Sequence, residues 1–307
     1  MIQEEKAYSA SSSPAGLQGT QGANWALILN KTQYGVGRIL LYAVLILGAI
    51  IFSLPLVWMI STSFKPDALV FNMPIVWIPP KPDWANYYDA WTKSVPPFTT
   101  YYANTIFITV MSIIGLILSS SLVAFGFARI RFWGRNVIFM VLLSTMMLPS
   151  QVTLIPIYLF WSKLGLVNTF WPLIGPEWLT NAYNVFLLRQ FFMSINTELD
   201  DAARIDGAGW FTIYSRILMP LARPAVGVIA IQAFAWNWNN YLGPLIYLSE
   251  PKKLTVAIAL RLFETQQSQH IPETMAMTLV ALIPVLLVFY FGQARFIQGI
   301  VISGVKG

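Results

Sequence analysis

Long uncharged runs separated by short polar segments dominate the chain from residue 39 onward. Residues 39–64, 94–128, 136–162, 224–249 and 274–294 contain no charged residue. Each reaches the about 20 residues that an apolar helix needs to cross roughly 30 Å of hydrocarbon. A sixth, weaker run, 178–195, is interrupted only by Arg189 near its far end. The pattern predicts an all-α membrane protein with six transmembrane helices over residues 36–307. The preceding residues, 1–35, carry Glu4, Glu5 and a SASSSPAG tract with no early apolar core, and are expected to form a disordered cytosolic tail rather than a cleaved signal peptide.

Between the fourth and fifth runs lies the longest polar segment of the C-terminal half, residues 197–224, TELDDAARIDGAGWFTIYSRILMPLARP. Thr197 is placed to cap a helix whose first turn carries Glu198, Asp200 and Asp201, where carboxylates oppose the positive end of the helix dipole. Ala202 and Ala203 favour helix strongly. Gly207 suits the left-handed residue that ends it, and Trp210, Phe211, Tyr214, Ile217 and Leu218 then recur at helical spacing until Pro220. Two short helices meeting at a bend are expected, with the alanines letting a second protein approach the backbone.

Composition and charge fix the setting. Of the 307 residues 56% are hydrophobic and 10% charged, and the mean hydropathy is +0.61, far above what a soluble domain requires. With a cytosolic N-terminus, the inner segments hold 12 of the 19 lysines and arginines and the outer ones 7, and Arg261 is the only outer arginine. The positive-inside rule therefore places both termini, and segment 197–224, in the cytosol. This bias accounts for the net charge of +6 without a nucleic-acid partner. The absence of cysteine excludes disulfides and thiolate metal sites.

Two runs contain polar groups at membrane depth. Pro149 and Pro156 interrupt the third beside Ser150, Gln151 and Thr153; freed carbonyls there are tolerable only against protein or a watery cavity, so the segment either lines a solute path or is a kinked packing helix. The fifth carries Gln232 and then Trp236, Asn237, Trp238, Asn239 and Asn240. Aromatic faces beside amides suit a sugar, and equally an interfacial aromatic belt. Five prolines among aromatics over 65–93 exclude a long helix in the first outer loop, which reads as an interfacial plug or as a contact for an external partner. His270, the single histidine, reads as solvated surface.

Segment 197–224 resembles the EAA signature of ABC importer permeases: Asp201-Ala202-Ala203, Gly207 four residues later, then Ile217 and Pro220, within ELDDAARIDGA, the form of the carbohydrate-importer branch. Asp201 stands where that family usually has Glu, keeping the charge with a shorter reach. The C-terminal ARFIQGIVISGVKG is similar to the tail of the six-span, maltose-type permeases. The resemblance implies a subunit of the bacterial cytoplasmic membrane that moves a carbohydrate, a di- or oligosaccharide, by alternating access. It implies pairing with a homologous permease of different sequence, two cytosolic ATPase subunits that hold the ATP and magnesium, and an extracytoplasmic solute-binding protein. Glu198, Asp201, Ala202, Ala203, Asp206, Gly207, Ile217 and Pro220 would then carry the coupling to the ATPases.

No HExxH, GxSxG or GxxxxGK[ST] motif occurs, so no set of residues assembles a nucleophile, base or phosphate cradle. A self-contained secondary carrier or channel is the alternative. Carriers place ionisable residues inside their spans, and the five clear runs contain no Asp, Glu, Lys or His.

Overall fold

A computed structural model describes the backbone of residues 19–266 and 270–304, and side chains over 37–264 and 270–293. Among these residues there are helices and no strands. The chain divides into two units, one ending at Trp58 and one beginning at Met59.

The first unit is the greater part of α1 (Gly19–Ser63). Its described apolar side chains, from Ile39 to Val57, are largely exposed within the chain. A helix apolar on all sides needs an apolar surrounding, and bilayer supplies it. Helix α1 starts at Gly19, within the stretch read as an N-terminal tail, and residues 1–18 of that stretch lie outside the described residues.

The second unit is built around α3 (Phe98–Arg129), 32 residues without a break. Short α2 (Ala85–Thr92) precedes it; α4 (Arg135–Ser144), α5 (Ser150–Lys163), α6 (Trp171–Trp178), α7 (Ala182–Ser194) and α8 (Glu198–Ile205) follow. Then come α9 (Trp210–Leu221), α10 (Arg223–Trp238), α11 (Leu242–Tyr247), α12 (Val256–Gln266) and α13 (Ile271–Gly304). Helices α6, α7 and α10 pack on α3, and α13 packs on α10.

By length and composition three described helical stretches can cross a membrane: Gly37–Ser63, Phe98–Arg129 and Ile271–Gln293. Two further spans result if each of two bent pairs counts as one: α4 and its continuation to Met147 with α5, bent by 100°, and α9 with α10, bent by 75°. The prolines set both bends. Leu148 precedes Pro149 and is extended, as the clash of a proline ring with the preceding residue demands. Pro220 and Pro224 each lack an N–H for the helical ladder; the backbone widens to a π-helix over Ile213–Leu218 before the first and breaks at Ala222 before the second. The expected span 178–195 does not form as one helix of that length. Its helical part, α7, has 13 residues, about 20 Å at 1.5 Å per residue.

Two apolar clusters share α3. Phe98, Tyr101 and Ile108 join Leu173, Leu248, Val256, Phe263 and Met277 at one end. Leu116, Phe125 and Phe127 join Leu188, Phe192, Ile213, Leu218 and Ile229 towards the other.

Candidate functional site

Segment 197–224 folds onto the Arg129 end of α3. Helix α8 starts with a different cap from the one expected: Thr197 makes no side-chain cap bond, and Asn196 Oδ1 instead accepts from the Glu198 N–H at 3.1 Å while its Nδ2 donates to Glu198 Oε2 at 3.0 Å. The helix ends as the sequence predicts. Gly207 has φ +82°; its N–H donates to Arg204 O at 3.0 Å and that of Ala208 to Ala203 O at 2.8 Å, the paired bonds of a glycine-terminated helix.

What holds this helix in place is a residue the motif does not single out. Asp200 is buried, with Oδ2 2.6 Å from Arg129 Nε, and Arg129 Nη2 donates to Ile195 O at 2.9 Å. Burial pushes the Asp200 carboxyl above its ordinary value, against the downward pull of Arg129. Tyr214 of α9 shares a 2.7 Å hydrogen bond with Ser121 and packs on Phe125. Trp210 lies between Phe125 and the Arg204 guanidinium, which sits 3.7 Å from a ring centre of the indole. A polar residue at helical spacing from small residues on α3, here Ser121 among Ala124 and Ala128, was the available signal for this attachment.

With Asp200 turned in and Ala203 packed on the second cluster, the other face of α8 is free. Leu199, Ala202 and Ile205 recur three apart there, Ile205 being 87% exposed, and Phe211 is exposed beyond the turn. Glu198, Asp201 and Asp206 are exposed around them. Ile217 packs on the second cluster, and Pro220 is the last residue but one of α9.

A second site lies halfway along α3. Leu116, Glu177, Asn181, Tyr183, Asn184, Ile229, Gln232, Ala233, Trp236 and Asn237 enclose a cavity of about 250 Å³. At about 1.5 Å per residue, Leu116 stands about 27 Å from the Phe98 end of α3 and about 20 Å from Arg129. Residues 177–181 are fastened at this level: Trp178 Nε1 donates to Met111 O at 3.1 Å, Ser119 Oγ to Glu177 O at 2.9 Å and Thr180 Oγ1 to Ser120 Oγ at 3.4 Å. Gly115 makes room, since a methyl group there would overlap the Trp178 ring. Asn181 Oδ1 accepts from the Tyr183 and Asn184 N–H groups and starts α7. A larger open depression, about 580 Å³, is lined by the single segment Arg131–Ile138 and joins no separate elements.

The candidate path residues divide. Gln232, Trp236 and Asn237 line the cavity. Trp238 is buried, its Nε1 donating to Ala281 O at 3.1 Å. Asn239 Nδ2 donates to Ala235 O at 2.8 Å at the end of α10, and Asn240 Oδ1 accepts from Gly243 N–H at 3.1 Å in the first turn of α11. Ser150, Gln151 and Thr153 sit at the start of α5, away from the cavity, with Thr153 Oγ1 bonded to Ser150 O at 3.1 Å. Sequence reading missed Glu177, Asn181 and Asn184, which fall between apolar runs or in the interrupted one. His270 is exposed as expected, and its Nδ1 lies 2.9 Å from Asp67 Oδ2.

Residues 117–302 match the family described as the binding-protein-dependent transport system inner membrane component. The chain belongs to this family. Its members are transport permeases, so the chain is a transport component and no enzyme. It is 33% identical over 259 residues to a putative ABC transporter permease protein, ORF2, of a Caldicellulosiruptor species, covering 84% of this chain and 93% of that one. It is 32% identical over 210 residues to the arabinooligosaccharides transport system permease protein AraQ of Halalkalibacterium halodurans, covering 68% and 75%. Among solved structures, a bacterial ABC transporter involved in import of the acidic polysaccharide alginate has a chain that superposes with a TM-score of 0.75 at 26% identity, over 87% of this chain and 98% of that one. In this permease the free face of α8 and every lining residue of the cavity except Leu116 fall within the matched residues.

Proposed function

We propose that this permease is one of two homologous, non-identical membrane subunits of an ATP-driven importer that carries a di- or oligosaccharide across the bacterial cytoplasmic membrane. Both termini, and segment 197–224, lie in the cytosol. A pair of ATPase subunits, holding ATP and magnesium, seats α8 in a surface groove, and a solute-binding protein delivers sugar to the opposite side. The arabinooligosaccharide and alginate systems among its relatives support a saccharide cargo.

The observation that carries the reading is the two-sided build of α8. One side is locked to α3 through Asp200 and Arg129, while the other exposes Leu199, Ala202 and Ile205 within an acidic rim. Exposed apolar side chains on a polar segment mark an interaction surface. Asp201 contacts the ATPase, the alanines let the helix sit deep, and closure of the ATPase pair on ATP pulls the knob. That pull passes to α3 through the ion pair and to α10 through α9, and the spans alternate between faces. Gln232, Trp236 and Asn237 form part of the sugar path.

The test is affinity isolation of the assembled complex, with ATP-dependent sugar uptake in proteoliposomes. Ala202→Arg or Ile205→Asp should release the ATPases and abolish uptake while the permease remains in the membrane. Retained ATPases and normal uptake in both variants would refute the coupling role. A self-contained carrier gains one observation, Glu177 at half the length of α3, since a carboxylate at membrane depth is a feature of ion-coupled transport. Uptake driven by a proton gradient without ATPase subunits would establish that reading instead.

A further inference from the structure

The carboxylate of Glu177 stands out against its surroundings. Its level on α3, where Ser119 bonds its carbonyl about 15 Å from Arg129, is inside a hydrocarbon layer roughly 30 Å thick, where an ionisable group is costly and marks a functional path. The cavity around it is lined by the amides Asn181, Asn184, Gln232 and Asn237 and by Trp236, with no lysine, arginine or histidine among its lining residues. Among the described residues no ion pair or side-chain hydrogen bond to this carboxylate is found. The three bonds from α3 that fix residues 177–181 hold the group where it is.

We propose that the cavity is a subsite for an uncharged, hydroxyl-rich glycan, with Glu177 accepting hydrogen bonds from sugar hydroxyls and turning away sugars that carry carboxylate or phosphate. This rests on the saccharide reading above and narrows it. Amides donate to and accept from hydroxyls, an indole face covers the apolar side of a pyranose, and a carboxylate makes the stronger, charge-assisted bond to a hydroxyl donor. A second negative charge about 6 Å away, at an effective dielectric of about 20, is disfavoured by roughly two orders of magnitude. With no cation in the lining, nothing offsets that repulsion. The filter lies in the permease itself and acts on whatever the binding protein delivers.

The chain contains no cysteine, so Gln232→Cys places its only thiol on the cavity wall. In the complete importer, reconstituted with cysteine-free partners, labelling rates would be compared for a cationic and an anionic methanethiosulfonate. With Glu177 present, the cationic reagent should be favoured at least tenfold beyond its ratio on a free thiol, and Glu177→Gln should return the ratio to the free-thiol value. Maltotriose or arabinotriose should slow labelling at least fivefold. Trigalacturonate should do so only after Glu177→Gln. An unreactive thiol, or a ratio that Glu177→Gln leaves unchanged, would show that no charge faces an aqueous cavity and overturn the proposal. So would equal protection by trigalacturonate with Glu177 intact. A shifted ratio without protection by either neutral trisaccharide would overturn the subsite while ATP-dependent uptake, measured on the same vesicles, still decides the importer reading separately.

Discussion

The two ends of α3 are both well buried, yet they are fastened by different chemistry. At the Phe98 end the bonds are neutral. Asn104 Nδ2 donates to Lys252 O and Leu254 O at 2.8 and 2.9 Å, Thr105 Oγ1 accepts from Val256 N–H at 2.9 Å, and Tyr102 donates to Val280 O. Around these, Phe98, Trp91, Tyr102 and Trp238 pack edge to face or tilted. At the Arg129 end the main fastener is a buried ion pair, Arg129 with Asp200. The contrast separates strength from sensitivity. A buried ion pair contributes little net stability against a well-packed apolar alternative, but removing one member leaves an uncompensated charge. The neutral end tolerates the loss of a single partner better. Arg129 and Asp200 therefore specify where α8 sits more than they stabilise the chain.

The sharpest way to break the contrast is Asp200→Ala, which should destabilise the permease by about 3–5 kcal/mol, read as a lowered denaturation midpoint in detergent and loss of co-isolated ATPase subunits. Replacing both partners, Arg129→Met with Asp200→Leu, should restore most of that stability. If the double variant is as unstable as the single one, the pair is a net stabiliser and the contrast fails. At the neutral end, Asn104→Ala leaves the part-buried Leu254 carbonyl short of a donor, while water can reach that of Lys252, and should cost about 1–2 kcal/mol with the seat of α8 unchanged. Gly207→Val forces a β-branched residue into the left-handed region and should cost about 1–2 kcal/mol. A methyl group meets nothing within 4 Å there, so the effect should be confined to the turn, with uptake reduced and the amount of permease in the membrane unchanged. The smallest effect is expected from Tyr214→Phe, about 1 kcal/mol for the lost bond to Ser121, measured in the same denaturation assay.

Much of this was legible in the residue pattern, for identifiable reasons. The apolar runs predict the membrane helices because bilayer thickness sets a length that composition must meet. The bend at Pro149 and the turn at Gly207 follow from local sterics. The ion pair escaped because Asp200 is one of three carboxylates in the first turn of α8, and only the packing of α8 on α3 tells the buried one from its exposed neighbours. Glu177 escaped because it lies outside every uncharged run, while Gly115 and Trp178 dock its segment halfway along α3. The absence of charge in the runs is thus no measure of the absence of charge at depth. The amides Asn239 and Asn240, whose composition suits a sugar, bond locally, one at the end of α10 and one at the start of α11.

The unbroken course of α3 also has a mechanical consequence. It is an unbroken strut about 48 Å long, gripped near its middle by Trp178 and at one end by Asp200, whereas α4–α5 and α9–α10 are elbows. A strut transmits a push along its whole length at once, and elbows absorb one by flexing. Force applied at α8 would therefore reach the cavity wall through α3, and the two elbows would set how far everything else must give.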